Sequence, residues 1–271
     1  MTSVGTVGQA VAAATDSLKA AGCSSARLDA ELLLADAMGM RREDVVAHPE
    51  RPVPPDAARV AMNHVRRRAR REPVAYITGR RWFRRLELRV DHRALIPRPQ
   101  SEMLVDVVTS TLSEGASLLD LGTGSGSIAL AVKDERPDVQ VSGSDISADA
   151  IALARENAER LGLDVELFVA DGYPAGRSWD MVVANLPYLR DDEWADRLPP
   201  EIVGFEPRVA LTSGADGLGA IRDLIRDAPA GTRLALEHAP DQAAAIRALL
   251  TEIELPELPD DFELITVGRV A

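Results

Sequence analysis

Ser117-Leu118-Leu119-Asp120-Leu121-Gly122-Thr123-Gly124-Ser125-Gly126 is a short apolar run that stops at an acid and three alternating glycines, after which Ser127-Ile128-Ala129-Leu130-Ala131-Val132 resumes at helical spacing. This pattern predicts a strand, a tight turn and a helix of a doubly wound α/β sheet. Gly122, Gly124 and Gly126 lack a Cβ, so the backbone can take positive φ and approach a bulky ligand. The N–H groups at the helix start favour polar or anionic atoms. Asp120 and Thr123 belong to the same turn, which reads as a ligand cradle. The glycines alone do not say for what: nicotinamide-dependent enzymes, methyltransferases and ligand-free loops share them.

From Leu118 onward strands and helices alternate. Strands are expected near 117–121, 138–144, 165–170, 179–184, 232–237 and 262–267, and helices near 126–134, 147–161, 217–228 and 240–251. Such alternation predicts a mainly parallel sheet with ligands beyond the carboxyl ends of its strands. The second strand closes on Asp145, twenty-three residues after Gly122, where a carboxylate can accept both hydroxyls of a ribose or cap the following helix. The third ends at Asp171, which can receive an exocyclic amine. The fourth, Trp179 to Ala184, runs into Asn185-Leu186-Pro187-Tyr188. Asn185 offers an amide oxygen and amide donors, the Leu186 carbonyl escapes a regular ladder because Pro187 follows, and Tyr188 supplies a flat wall. Together they suit a planar group bearing an NH₂.

The chain has 271 residues, 46% of them hydrophobic, enough to bury a substantial core in one large or two unequal domains. No apolar run approaches the length of a membrane span, and the Ala-rich start carries Asp16 and Lys19 and lacks a basic leader, so a soluble cytoplasmic protein is expected. One cysteine, Cys23, excludes an internal disulfide. The four scattered histidines offer no zinc-ligand spacing, so no metal is expected. The net charge of −12 opposes stable nucleic-acid binding. Yet residues 59–93 hold twelve arginines against Glu72, Glu87 and Asp91, a basic belt that is either a solvated helix face or a docking surface.

Before the cradle, helical spacing through Val7, Val11, Ala14 and Leu18, and again through Leu28, Leu32 and Ala35, predicts a small N-terminal helical domain over residues 1–72. Trp82, Leu86, Leu88 and Val90 alternate with charged neighbours, so 73–98 reads as a β-hairpin linker. Residues 99–271 form the sheet-bearing domain, entered through a helix that Gln100 or Ser101 can cap.

The Asn-Xaa-Pro-Tyr turn resembles that of methyltransferases acting on planar nitrogens. Ser25-Ala26-Arg27-Leu28-Asp29-Ala30-Glu31-Leu32-Leu33-Leu34, Glu72 to Gly79, Trp82-Phe83, Leu95 to Glu102, Phe205-Glu206-Pro207-Arg208-Val209-Ala210-Leu211 and Gly214 to Leu218 are similar to bacterial release-factor glutamine methyltransferases over nearly the whole chain. The resemblance implies a Rossmann-like class I S-adenosylmethionine-dependent methyltransferase domain. It also implies methylation of the glutamine in the Gly-Gly-Gln loop of class I peptide-chain release factors. Asn185, Leu186, Pro187 and Tyr188 are then the catalytic turn, and Asp120, Gly122, Thr123, Gly124, Gly126, Asp145, Asp171 and Asn185 the cofactor residues. The chain departs from the pattern at Leu186, where the family has a second proline, at Gln100-Ser101 in place of Glu-Thr, and in the acidic end Glu252 to Asp261. A monomer is expected. The alternatives are an adenine-specific nucleic-acid methyltransferase using the Arg belt as a phosphate track, and a dehydrogenase or non-catalytic nucleotide-binding module on the same glycines.

Overall fold

Ala- and Leu-rich runs at helical spacing fold as helices Val7–Ala20 and Ala26–Met38. The first is closed by a capping box in which Thr6 Oγ1 accepts from Gln9 N and Thr6 N donates to Gln9 Oε1 at 3.0 Å. The computed structural model describes residues 5–254 and 264–271. Helices Arg42–Ala47, Pro55–Ala69 and Val74–Thr78 complete a helical unit that runs through Gly79 and also takes in Pro199–Phe205. Leu18, Cys23, Ala30, Leu33 and Ile77 form one of its cores. Val74–Thr78 is helical where a linker is expected, because Pro73 pre-sets the entry and Tyr76 and Ile77 turn inward.

The second unit comprises Arg80–Leu198 and Glu206–Ala271. It opens with the antiparallel hairpin β1 (Arg80–Phe83) and β2 (Leu86–Arg89). Its sheet contains β3 (Ser117–Leu121), β4 (Gln140–Asp145), β5 (Glu166–Val169), β6 (Met181–Ala184), β7 (Arg233–Glu237), β8 (Leu250–Glu254) and β9 (Ile265–Val270). Among the described residues the order is β5-β4-β3-β6-β7-β9-β8, parallel from β5 to β7, with β9 antiparallel to β7 and β8 antiparallel to β9. Every residue of β6 is buried, as a central strand covered on both faces requires. Helix Gly219–Asp227, through Ile221 and Leu224, and Ile246 join a core with Leu119, Leu121, Val182, Ala184, Leu234 and Leu236.

The helix expected over 240–251 stops at Arg247 and gives way to β8. Leu250 is buried while Thr251 to Ile253 are exposed, an edge strand laid on β9 that the Ala-rich run before it conceals. The last strand begins at Ile265; positions 262 and 263 of its expected span, and 255–261 of the acidic end, lie outside the described residues. Because the chain moves outward from β3 to β5 and then restarts beside β3 as β6, the carboxyl ends of β3 and β6 flank the crossover crevice where open α/β sheets hold ligands.

Candidate active site

Gly122, Gly124 and Gly126 all take positive φ, at +77°, +57° and +85°. At Gly122 the requirement is also spatial, since a Cβ there would stand 3.1 Å from Leu186 Cδ2. The turn is pinned on β4: Gly122 N and Thr123 N both donate to Ser144 O, at 2.8 and 2.9 Å. Asp145 then closes it. Its Oδ2 accepts from Gly124 N at 3.0 Å and its Oδ1 from Ser147 N at 2.9 Å. Helix Ala148–Leu161 is capped by Ser147 itself, whose Oγ accepts from Ala150 N. Burial raises the Asp145 pKa against those backbone bonds; each oxygen keeps further acceptor capacity for a ligand.

Asp120 sits beneath the turn, 1% exposed. Its Oδ2 accepts from Thr123 Oγ1 at 2.7 Å and Ala129 N at 3.1 Å, while Oδ1 has no hydrogen-bond partner among the described residues. Burial, with the Asp145 charge adding to it, pushes this carboxyl up to about 7.

Beyond the turn lies a cavity of about 450 Å³ lined by residues from the second unit. Gly122, Thr123, Gly124, Asp145, Asp171, Asn185, Leu186 and Pro187 line it together; Asp120, Gly126 and Tyr188 stand behind its wall. Leu186 is buried against Gly122. Tyr188 forms no part of the lining. Burial, reinforced by Glu237, pushes its hydroxyl up to about 12, and its carbonyl accepts from Gln242 Nε2 at 2.8 Å.

Three residues to which the sequence reading gave no site role stand at or behind the cavity wall. Ser101 does not cap helix Glu102–Thr111 with its side chain; its Oγ accepts from Asn185 Nδ2 at 2.8 Å. Glu206, buried, accepts from Ile96 N at 3.2 Å and pairs with Arg98 at 2.7 Å, fixing the loop 94–98 that lines the cavity. Glu237, 3% exposed, ends β7 beside Asn185. Burial raises its pKa, partly offset by the Ser101 hydroxyl, the Arg98 charge and the Tyr188 and Asn185 groups around it. For Glu237 the available signal was an acid at the carboxyl end of a parallel strand, the same signal that marked Asp145.

The site suits an adenosine-bearing ligand. The cavity has the volume of a small-molecule pocket, a carboxylate stands at the end of β4 as a hydroxyl acceptor, Ile146 is an exposed apolar face in the lining, and Gly122 admits close backbone approach. No helix among the described residues is long and apolar enough to cross a membrane, and those residues hold no cluster of ligating side chains for a metal.

Residues 9–79 match the PrmC N-terminal domain family, and residues 99–214 the methyltransferase small domain family. A release factor glutamine methyltransferase of Caulobacter vibrioides is 40% identical over 275 aligned positions, spanning 98% of this chain and 95% of that protein. The enzyme of the same description from Pseudomonas aeruginosa is 44% identical over 234 positions, 83% of this chain and 84% of its own. The T. thermophilus 16S rRNA N2 G1207 methyltransferase, solved with AdoMet and guanosine, superposes with a TM-score of 0.50 at 14% identity, covering 71% of this chain and 50% of that one, a likeness of fold.

Proposed function

The chain belongs to the release factor glutamine methyltransferase family, an S-adenosylmethionine-dependent protein-glutamine methyltransferase, and we propose that it methylates the side-chain amide nitrogen of the Gly-Gly-Gln glutamine of class I release factors in the cavity described above. The observation that carries this reading is that the amide-binding turn Asn185–Pro187 and the cradle Gly122–Gly124, with Asp145, line one cavity. When bound, S-adenosylmethionine supplies an electrophilic sulfonium methyl and leaves as S-adenosylhomocysteine.

The chain's own residues do the rest by positioning. An amide nitrogen is a weak nucleophile because its lone pair is delocalised into the carbonyl. With Asn185 Nδ2 engaged by Ser101, Oδ1 is the acceptor left for one N–H of the substrate amide, and the Leu186 carbonyl accepts the other. Two acceptors at these N–H groups hold the lone pair in line and favour the positive charge that grows on nitrogen. The proton held at Asn185 Oδ1 acidifies as the N–C bond forms and passes to solvent, so no dedicated base is required. Pro187 stiffens the turn, and Tyr188 supports it from behind. Asp145 accepts ribose hydroxyls, Asp171 the adenine amine, and Gly122, Thr123, Gly124 and Gly126 give backbone access. Asp120 braces the turn through Thr123 and Ala129.

The N-terminal residues 1–72 serve as the docking unit for the release factor. The protein works as a cytoplasmic monomer without a stable nucleic-acid partner. Mass spectrometry of a release-factor tryptic peptide before and after incubation with enzyme and cofactor tests the whole reading. One added CH₂ on the loop glutamine is expected, and an unmodified glutamine with methyl recovered on DNA would replace this substrate with adenine.

A further inference from the structure

β6 and β7 run parallel with Ala184 beside Leu236. The next residues, Asn185 and Glu237, therefore leave the sheet side by side. Glu237 is buried, and its Oε2 makes no hydrogen bond among the described residues. Ser101, buried at the end of the turn Pro99–Ser101, touches both, and the Asn185 amide also reaches the Glu237 carboxylate directly. Ser101 Oγ accepts from Asn185 Nδ2 at 2.8 Å, and its hydroxyl faces the Glu237 carboxylate.

The direction of these contacts follows from what each group can do. A carboxylate only accepts, a hydroxyl has one proton to give, and a primary amide has one donating and one accepting end. Beside an ionised Glu237 the Ser101 proton goes to the carboxylate, so Oγ turns lone pairs toward Asn185. Only Nδ2 satisfies them, and Oδ1 is left for the substrate. The opposite rotamer of Asn185 would set an oxygen against the Ser101 lone pairs and offer the incoming glutamine N–H another donor. In a dry site both mismatches are costly.

We infer that Glu237 is a positioning residue which, through Ser101 and by its own contact with the Asn185 amide, fixes the polarity of that amide so that Oδ1 receives the substrate N–H. This rests on the proposed role of Asn185 and adds the element that orients it. No motif in the Asn185–Tyr188 turn contains this element; it comes from the neighbouring strand.

Glu237→Gln in the full chain keeps the shape but can donate to Ser101, releasing the lock. With intact release factor as acceptor, kcat is expected to fall roughly 10–100-fold, the range for groups that orient a ligating side chain. KM for the factor and the calorimetric Kd of S-adenosylhomocysteine should move by less than about threefold. Ser101→Ala should lower kcat by itself, and adding Glu237→Gln to it should cost less than Glu237→Gln costs alone, because both act on the same Asn185 amide. Wild-type kcat in Glu237→Gln, its full penalty on the Ser101→Ala background, or a loss of S-adenosylhomocysteine affinity matching the loss of kcat would each overturn the inference. Should Glu237→Gln fail to fold, Ser101→Ala alone decides: undiminished turnover sinks the relay, and a kcat loss with cofactor affinity kept sustains it. Asn185→Ala run in parallel separates the two levels. If it turns over normally the reading of the site fails; if it is dead while Glu237→Gln is fully active, only the relay fails.

Discussion

Asn185 shows what one residue position can and cannot reveal. Its place before Pro187 marks it in the sequence as a candidate amide-gripping side chain, but the group that holds its Nδ2, Ser101, is eighty-four residues away in sequence. Its place at the cavity was legible and its hydrogen-bond partner was not. Asn185→Ala should abolish methyl transfer while leaving the S-adenosylhomocysteine dissociation constant within a few fold, since its contact belongs to the substrate amide; turnover near wild type would remove it from the reaction. Asp120 makes a different prediction. Its carboxyl rises from 3.8 to about 7 in the fold, so between those values the native protein holds a proton that the unfolded chain has released. By linkage, raising the pH through that window must cost stability, and the loss is complete above about 7. Asp120→Asn cannot titrate, so urea denaturation of the unliganded protein should show wild type losing ground to the variant from pH 5 to pH 8. Parallel pH profiles would place the Asp120 pKa near its ordinary value.

At the scale of elements, local periodicity carried most of the reading. The strand, glycine turn and helix at 117–135 follow the order expected, because apolar runs and glycines speak for themselves within a dozen residues. Strand β8 did not, because its five residues gain their pairing only from β9, which follows in the chain. The irregular stretch after β6 is similar. Leu189 N donates to Leu211 O and Ser213 N to Leu189 O, both at 2.9 Å, so the Asn185–Tyr188 turn is held by a loop more than twenty residues on. Gly217 makes that holding possible. It takes φ +75°, and a Cβ on it would lie 2.1 Å from Tyr188 O. Gly217→Ala therefore meets both a left-handed backbone and a backbone collision, and should lose at least about 2 kcal/mol of stability by chemical denaturation. Turnover should fall as well, because the backbone that must yield belongs to the proposed catalytic turn. A variant with unchanged stability and kcat would show that this loop is not a clamp on the turn.

For the molecule as a whole, the basic belt at 59–93 is the clearest case of a charge count that sequence cannot finish. Arg84 pairs with Glu135 and Asp106, Arg85 with Asp134, Arg89 and Arg93 with Glu156, Arg67 with Glu72, and Arg68 and Arg71 with Glu201. Most of these acids lie outside the belt in sequence, so much of its positive excess along the chain is balanced in space. The pairs at Glu201 have a structural consequence. Pro199–Phe205 leaves the sheet-bearing unit and belongs to the helical one, where its helix offers few apolar anchors and Glu201 is gripped by two guanidinium groups at 2.8 and 2.7 Å. Arg68 is nearly buried, with a side chain 6% exposed, and Asp29 at 2.7 Å is its other partner. Arg71 holds φ +72°, a strained conformation for an arginine that these contacts retain. Among the described residues, Glu201→Ala leaves the buried Arg68 charge with one acid partner in place of two and Arg71 with its carbonyl contacts near Gly22, so the full chain should lose about 3 kcal/mol in urea denaturation, the scale for removing one partner of a buried ion pair. Although burial opposes its ionisation, bonds from Arg71 and Arg68 hold the Glu201 pKa below its ordinary value. Its contribution is therefore present at neutral pH and lost as the pH falls through that lowered value, and the gap between wild type and variant should close on acidification. Affinity for S-adenosylhomocysteine should stay within about twofold, because Glu201 is absent from the cavity lining. A loss below about 1 kcal/mol at pH 7, or a gap that widens in acid, would mean that the ion pairs are surface ornament and that something else holds this excursion of the chain.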